Sequence, residues 1–205
     1  MTDILIMEKN AASIEKVKRL EPLMHPYRKA RDTWDYVSAS ALIYEAFTRY
    51  GIPLTAYKEL PSGRPYIASS RNSAVALGKT QADFLYDGNA DLSVSHSGRY
   101  TAVAITTAPD VSIGIDIEER ERASKRDVIG LSKRFFSEEE AEQVLSSEDQ
   151  TDTFLRLWTM KEALMKSRRV PLSQVLNGGI TDSKVYFTTD KYVMCLVRES
   201  IIRRL

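Results

Sequence analysis

Residues 113–118 read Ile-Gly-Ile-Asp-Ile-Glu, and no other stretch limits the fold of this chain so tightly. Isoleucine at every second position is the pattern of a half-buried strand. Ile113, Ile115 and Ile117 then point into an apolar core, and Gly114, Asp116 and Glu118 share the opposite face. The Cα atoms of Asp116 and Glu118 lie about 7 Å apart along that face, so two carboxylates can converge on one hard cation. Gly114 has no side chain there, so another element can approach the backbone closely. An isolated Asp-x-Glu is usually two solvated acids, and its meaning depends on what accompanies it.

The accompaniment is Trp158-Thr159-Met160-Lys161-Glu162-Ala163, inside a helix predicted over 153–168. At about 100° per residue, Phe154, Leu157, Trp158, Leu164 and Met165 gather on one apolar stripe. Glu162 falls at its edge, one turn after Trp158 and one turn before Lys166. Asp116, Glu118 and Glu162 would make a set of three hard oxygen donors. Such a set suits magnesium, which keeps several waters and binds through a few carboxylates plus substrate phosphates. Lys166 could meet a phosphate on that metal, or simply pair with Glu162 as an ordinary i, i+4 surface ion pair. Lys161 falls near the middle of the apolar stripe. It either snorkels along its stem to water or pairs with an acid or phosphate in a cleft.

Composition narrows the partners. The 205 residues carry 29 Lys plus Arg against 28 Asp plus Glu, so no overall field draws the chain to nucleic acid or membrane. Any anionic ligand must be held by a local basic cluster, and Pro26-Tyr27-Arg28-Lys29-Ala30-Arg31 is the obvious one. The single cysteine, Cys195, cannot form an intrachain disulfide and reads as a buried small hydrophobe in a reducing, cytoplasmic setting. The N-terminal run Ile4–Met7 between Asp3 and Glu8 is neither a signal peptide nor a membrane span.

Along the chain, strands are predicted at 2–8, 57–60, 92–95, 100–106, 112–118, 185–188 and 192–197, with helices at 13–21, 32–50, 153–168 and after Ser137. Ser137 and Glu140 form a capping-box signature, with Phe136 before them. Residues 69–90 read mostly as loop, and 119–130 are charged without strong periodicity. The order suggests an α+β chain of two similarly built halves, 1–108 and 109–205.

Two other segments can meet phosphate. Ser95-His96-Ser97 lies at a strand end, and both a serine hydroxyl and an imidazole can donate hydrogen bonds. Gly63-Arg64-Pro65 is a rigid, extended segment that holds Arg64 outward.

Taken in order, Gly63-Arg64-Pro65, Ser95-His96-Ser97, Gly114-Ile115-Asp116-Ile117-Glu118 and Trp158-x-x-Lys161-Glu162-Ala163 resemble the motifs of the Sfp-type 4′-phosphopantetheinyl transferases. Phe135-Phe136-Ser137-x-x-Glu140 is similar to the segment that family carries between the last two. The resemblance covers roughly residues 20–170. It implies a pseudo-twofold monomer of two α+β halves with coenzyme A in the cleft between them. The implied reaction moves the phosphopantetheine arm to a serine of an acyl carrier protein or of a peptidyl or aryl carrier domain, leaving 3′,5′-ADP.

The resemblance assigns Asp116, Glu118 and Glu162 to magnesium, with manganese as an alternative. It puts Glu162, Lys166 and His96 at the reacting centre, and Ser95, His96 and Lys166 on the coenzyme's phosphates. Gly63, Arg64 and Pro65 line the adenine side, and Arg28, Arg31 and Ser40 hold the 3′-phosphate. Glu162 or a metal-bound water is the base. Arg64 stands where many relatives have Lys, and residues after about 170 match weakly. Lys133, Arg134, Arg168 and Arg169 are candidates to meet an acidic carrier, or else form a solvated basic face. Two rival functions are another magnesium enzyme acting on nucleotides or phosphodiesters, and a non-catalytic module that keeps the coenzyme pocket.

Overall fold

The computed structural model of the chain describes residues 1–24, 33–60, 64–68, 88–177, 179 and 181–200. It is a mixed α+β structure, and the chain divides into two separately packed units. One comprises Met1–Val94, Thr101–Ser112 and Ser200–Leu205, and the other Ser95–Tyr100 and Ile113–Glu199.

In the first unit, β1 (Thr2–Glu8), β4 (Asp91–Ser97) and β5 (Tyr100–Thr106) form a sheet in the order β1-β5-β4. Helix α2 (Trp34–Tyr50) supplies Leu42, Ile43, Ala46 and Phe47 to a core with Leu5 and Met7 of β1, Leu92 of β4, and Val103 and Ile105 of β5. Gly51 ends α2 at φ 64°, where its N–H reaches the carbonyls of Phe47 and Thr48, a left-handed cap that glycine adopts without strain. The short strands β2 (Tyr57–Glu59) and β3 (Pro65–Ile67) pair antiparallel, with Lys58 opposite Tyr66.

Helix α1 (Ala11–Leu20) starts two residues before its apolar spacing predicts, because Asn10 and Ser13 form a capping box. Its stripe is also narrower than predicted: Val17 is buried, whereas Ile14 is exposed.

The second unit is built on the sheet β6-β8-β7, made of β6 (Val111–Glu119), β7 (Lys184–Thr188) and β8 (Tyr192–Ser200). The last two form the closing hairpin the sequence predicts, with Lys184 opposite Val197 and Thr188 opposite Val193. Between β6 and the hairpin come α3 (Arg120–Ala123), α4 (Val128–Phe135), α5 (Glu138–Leu145), α6 (Gln150–Arg168) and α7 (Ser173–Leu176). Helix α5 opens on the predicted capping box, with Ser137 and Glu140 each accepting the other's backbone N–H. Helix α6 begins three residues early because Asp149 caps it, accepting from Asp152 N at 2.8 Å.

Two readings of this unit need correction. Residues 119–130 are not patternless, since they hold α3 and the start of α4. Each is too short to repeat an apolar period, and Asp127, which accepts from Gly130 N, opens the second. Nor does α6 bury a single stripe. Phe154 and Leu155 pack with Val128, Phe136 and Val144, while Met160, Ala163 and Leu164 pack with Cys195 and Val197 of β8. A helix covered on two sides needs apolar residues around most of its circumference.

Candidate active site

Strand β6 carries the first two acids. Ile113, Ile115 and Ile117 are fully buried, as the alternation requires. The other face is covered as well: Gly114 is buried, and Asp116 is only 5% exposed. The half-buried strand is therefore a strand buried on both faces around Asp116. Gly114 is the cause. A Cβ at Gly114 would collide with the carbonyl oxygen of Ala163 and stand 2.6 Å from Ser167 N, so only glycine lets α6 lie against β6 here. This contact brings Glu162 and Lys166 to the acids.

Each acid is held by a serine from the tip of the β4–β5 hairpin. Ser95 Oγ donates to Asp116 Oδ1 at 2.7 Å and accepts the N–H of Ile117 at 3.3 Å. Two residues on, Ser97 repeats the arrangement, donating to Glu118 Oε2 at 2.7 Å and accepting the N–H of Glu119 at 3.1 Å. From α6, Lys166 Nζ donates to Asp116 Oδ1 at 2.7 Å and to the Ile115 carbonyl at 3.1 Å. The alternative of an ion pair with Glu162 yields to this one. Arg126 stands 3.7 Å from Glu118. The same arginine, with Asp127, Leu131, Phe154 and Trp158, lines a cleft of about 440 Å³.

The acids sense one another. Burial pushes the Glu118 carboxyl up, the Asp116 charge adds to that, and the Ser97 hydroxyl with Arg126 and Arg122 only partly offsets it. Burial also raises Glu162, reinforced by Asp116 and then by Glu118, while Lys166 works the other way. Three carboxylates that repel through a partly dry region form a setting that a cation relieves.

One oxygen bears on the fit of a metal. Among the described residues, Asp116 Oδ2 is buried without a hydrogen-bond partner, which is costly for a carboxylate oxygen. The donors are hard oxygens of the kind magnesium takes. The arrangement is not a finished cage: among the described residues, no group of three or more His, Cys, Asp and Glu side chains is set to hold a metal ion. The acids are gathered, with a lysine on one of them.

The remaining candidates are distributed as follows. His96 is exposed between the two buried serines. Ser40 is buried in α2, and its hydroxyl donates to the Tyr36 carbonyl at 2.6 Å. Pro65 opens β3 and Arg64 precedes it, with the Arg64 carbonyl accepting from Leu60 N at 2.8 Å. Both stand, like Ser40, in the first unit. Arg28, Arg31 and Gly63 lie outside the described residues.

Lys161 takes the second of its two readings. It is fully buried, with Nζ 2.7 Å from Glu140 Oε1, 3.2 Å from the Val175 carbonyl and 5.5 Å above the Phe136 ring. Glu140 thus caps α5 with one oxygen and binds α6 with the other. Cys195 is fully buried, and desolvation, with the Asp116 charge, pushes its thiol up to about 12, which makes it inert as a nucleophile.

Sequence reasoning missed Ser97 and Arg126 as parts of the site. Ser97 was findable, since it shares the strand face of Ser95. Arg126 sits in the bend between α3 and α4, with no period to reveal it.

Residues 112–191 match the family model described as the 4′-phosphopantetheinyl transferase superfamily. Over this segment the chain is similar to that superfamily. Asp116, Glu118, Glu162 and Lys166 all fall within the matched residues. The chain is 38% identical over 92 residues to the 4′-phosphopantetheinyl transferase Sfp of Bacillus subtilis (strain 168), a match covering 44% of this chain and 38% of that protein. It is 34% identical over 90 residues to the L-aminoadipate-semialdehyde dehydrogenase-phosphopantetheinyl transferase of Rattus norvegicus, covering 41% of this chain and 28% of that protein. The protein of that name from Homo sapiens is 33% identical over 90 residues, with the same coverage. The match therefore spans well under half the length of these transferases.

Proposed function

We propose that this chain transfers the 4′-phosphopantetheine group of coenzyme A to a serine hydroxyl of a carrier protein or carrier domain, releasing 3′,5′-ADP. The observation that carries this reading is the cluster on β6 and α6. Three electrostatically coupled carboxylates and a lysine lie together with an Asp116 oxygen that is buried without a partner among the described residues, inside the segment that matches the transferase superfamily.

In this reading Asp116, Glu118 and Glu162 hold a magnesium or manganese ion. The ion, when bound, neutralises charge on the coenzyme's pyrophosphate. The chain's own groups do the rest. The carrier serine oxygen forms a bond to the phosphorus bearing the pantetheine arm. The bond from that phosphorus to the bridging oxygen breaks, and 3′,5′-ADP carries the electron pair away. Glu162, raised by burial and by its neighbours' charges, is suited to take the serine proton. Lys166 offers its ammonium to the pyrophosphate, where negative charge concentrates. Ser95 and Ser97 fix the carboxylates, and the exposed imidazole of His96 meets phosphate. Arg28, Arg31 and Ser40 serve the 3′-phosphate, and Gly63, Arg64 and Pro65 the adenine.

The test is intact mass spectrometry of apo-carriers incubated with the chain, coenzyme A and magnesium. At least one of a panel of acyl, peptidyl and aryl carriers should gain one phosphopantetheine. Asp116→Ala and Glu162→Ala should abolish the gain while far-UV circular dichroism stays unchanged. No gain on any carrier, or full gain with either variant, overturns the reading.

A further inference from the structure

We propose that Lys166 is a placeholder for the metal: its ammonium occupies the Asp116 carboxylate until a divalent cation arrives, and cation binding hands it over to the coenzyme's phosphate. The inference rests on the metal reading of the proposed function and adds an order of events to it.

Three observations carry it. Lys166 Nζ lies 2.7 Å from Asp116 Oδ1, where a cation on that carboxylate would draw on the same charge. The pair is well shielded, with the two side chains 18% and 7% exposed, so the attraction is stronger than for a surface pair. Among the described residues, Asp116 Oδ2 remains buried without a partner, so the lysine satisfies only half of the carboxylate.

Placement makes the exchange possible. Gly114 lets α6 lie close on β6, and Lys166 sits one turn beyond Glu162, so a long flexible side chain bridges helix and strand. A divalent ion on Asp116 repels an ammonium at hydrogen-bond distance. The freed ammonium then seeks the nearest anion, and in the proposed reaction that is the pyrophosphate. The lysine thereby couples the two ligands. Without coenzyme it competes with the metal; with coenzyme bound it has another partner, and the metal binds more tightly. Such coupling is reciprocal by thermodynamic necessity.

The experiment is a manganese titration followed by electron paramagnetic resonance, which reads free Mn2+ directly and needs no turnover. It compares the wild-type chain with Lys166→Met, Lys166→Gln and Lys166→Arg, each checked for folding by circular dichroism. Without coenzyme A, the Met and Gln variants should bind Mn2+ about tenfold more tightly than wild type, and the Arg variant should stay near wild type. Coenzyme A should tighten Mn2+ binding to wild type by a similar factor and to the Met and Gln variants by much less. Equal or weaker binding by both neutral variants, while wild type binds Mn2+, overturns the placeholder role and leaves the proposed function standing. Failure of every form to bind Mn2+, with or without coenzyme, overturns the metal reading and this inference together.

Discussion

At the scale of single residues, Gly114 and Lys161 decide the geometry of the second unit. Gly114 is where the helix backbone meets the strand, and the atoms a side chain would strike are backbone atoms of Ala163 and Ser167, which cannot rotate away. Gly114→Ala should therefore displace α6 and destabilise the unit by about 1–3 kcal/mol, the usual range for overpacking. Urea denaturation of the variant measures this, and carrier modification should fall with it. That something would approach Gly114 is legible in the sequence, because a glycine interrupts an otherwise side-chain-bearing face. That α6 would do so is not, since no local pattern names the partner of a strand. Lys161 teaches the complementary lesson. Its position on the apolar stripe is plain from helical spacing, but the partner is Glu140, twenty-one residues earlier in the sequence and already committed to a capping box. A residue that serves two elements advertises only the local role.

At the scale of elements, the tie between α3, α6 and the β7–β8 hairpin depends on one carboxylate. Asp152 in the first turn of α6 pairs with Arg120 of α3 and accepts from Arg156 Nε at 2.6 Å. Arg120 in turn donates to the Thr189 carbonyl at 2.8 Å through Nε, and its N–H donates to the Lys191 carbonyl at 2.9 Å. Burial raises the Asp152 carboxyl, but Arg156 and Arg120 outweigh it, and the net effect is below the ordinary carboxylate range. The folded state thus binds this proton less readily than the unfolded chain. The associated stability is present above the unfolded carboxylate range and is lost as pH falls through the lowered folded value. Thermal melting of wild type and Asp152→Asn should differ near neutral pH, and the gap should narrow steadily below about pH 4. A gap that does not depend on pH would contradict the ion pair. The elements themselves were readable where a period or a cap was long enough, as in β6, α5 and the closing hairpin. Helices α3 and α4 were not, because four and eight residues cannot display a stripe.

At the scale of the whole molecule, the near balance of 29 basic and 28 acidic residues places the burden of anion binding on local clusters. The acidic cluster of the second unit is the one whose parts are all on view. Its residues were legible because Asp116 and Glu118 share a strand face and Glu162 and Lys166 share a helix edge. Their pairing was not: the sequence offered Lys166 to Glu162, one turn away, and the fold gives it to Asp116, fifty residues distant. The second unit takes in the hairpin tip Ser95–Tyr100, which anchors both of its serines, and no composition shift marks that exchange. The central claim is that Asp116, Glu118 and Glu162 share one divalent ion, and the direct measurement is the stoichiometry and affinity of Mn2+ binding by paramagnetic resonance across Asp116→Asn, Glu118→Gln and Glu162→Gln in the presence of coenzyme A. A single site per wild-type chain is expected, weakened by every one of the three substitutions. A site that survives any of them at wild-type affinity, or ions lost independently of one another, would contradict it.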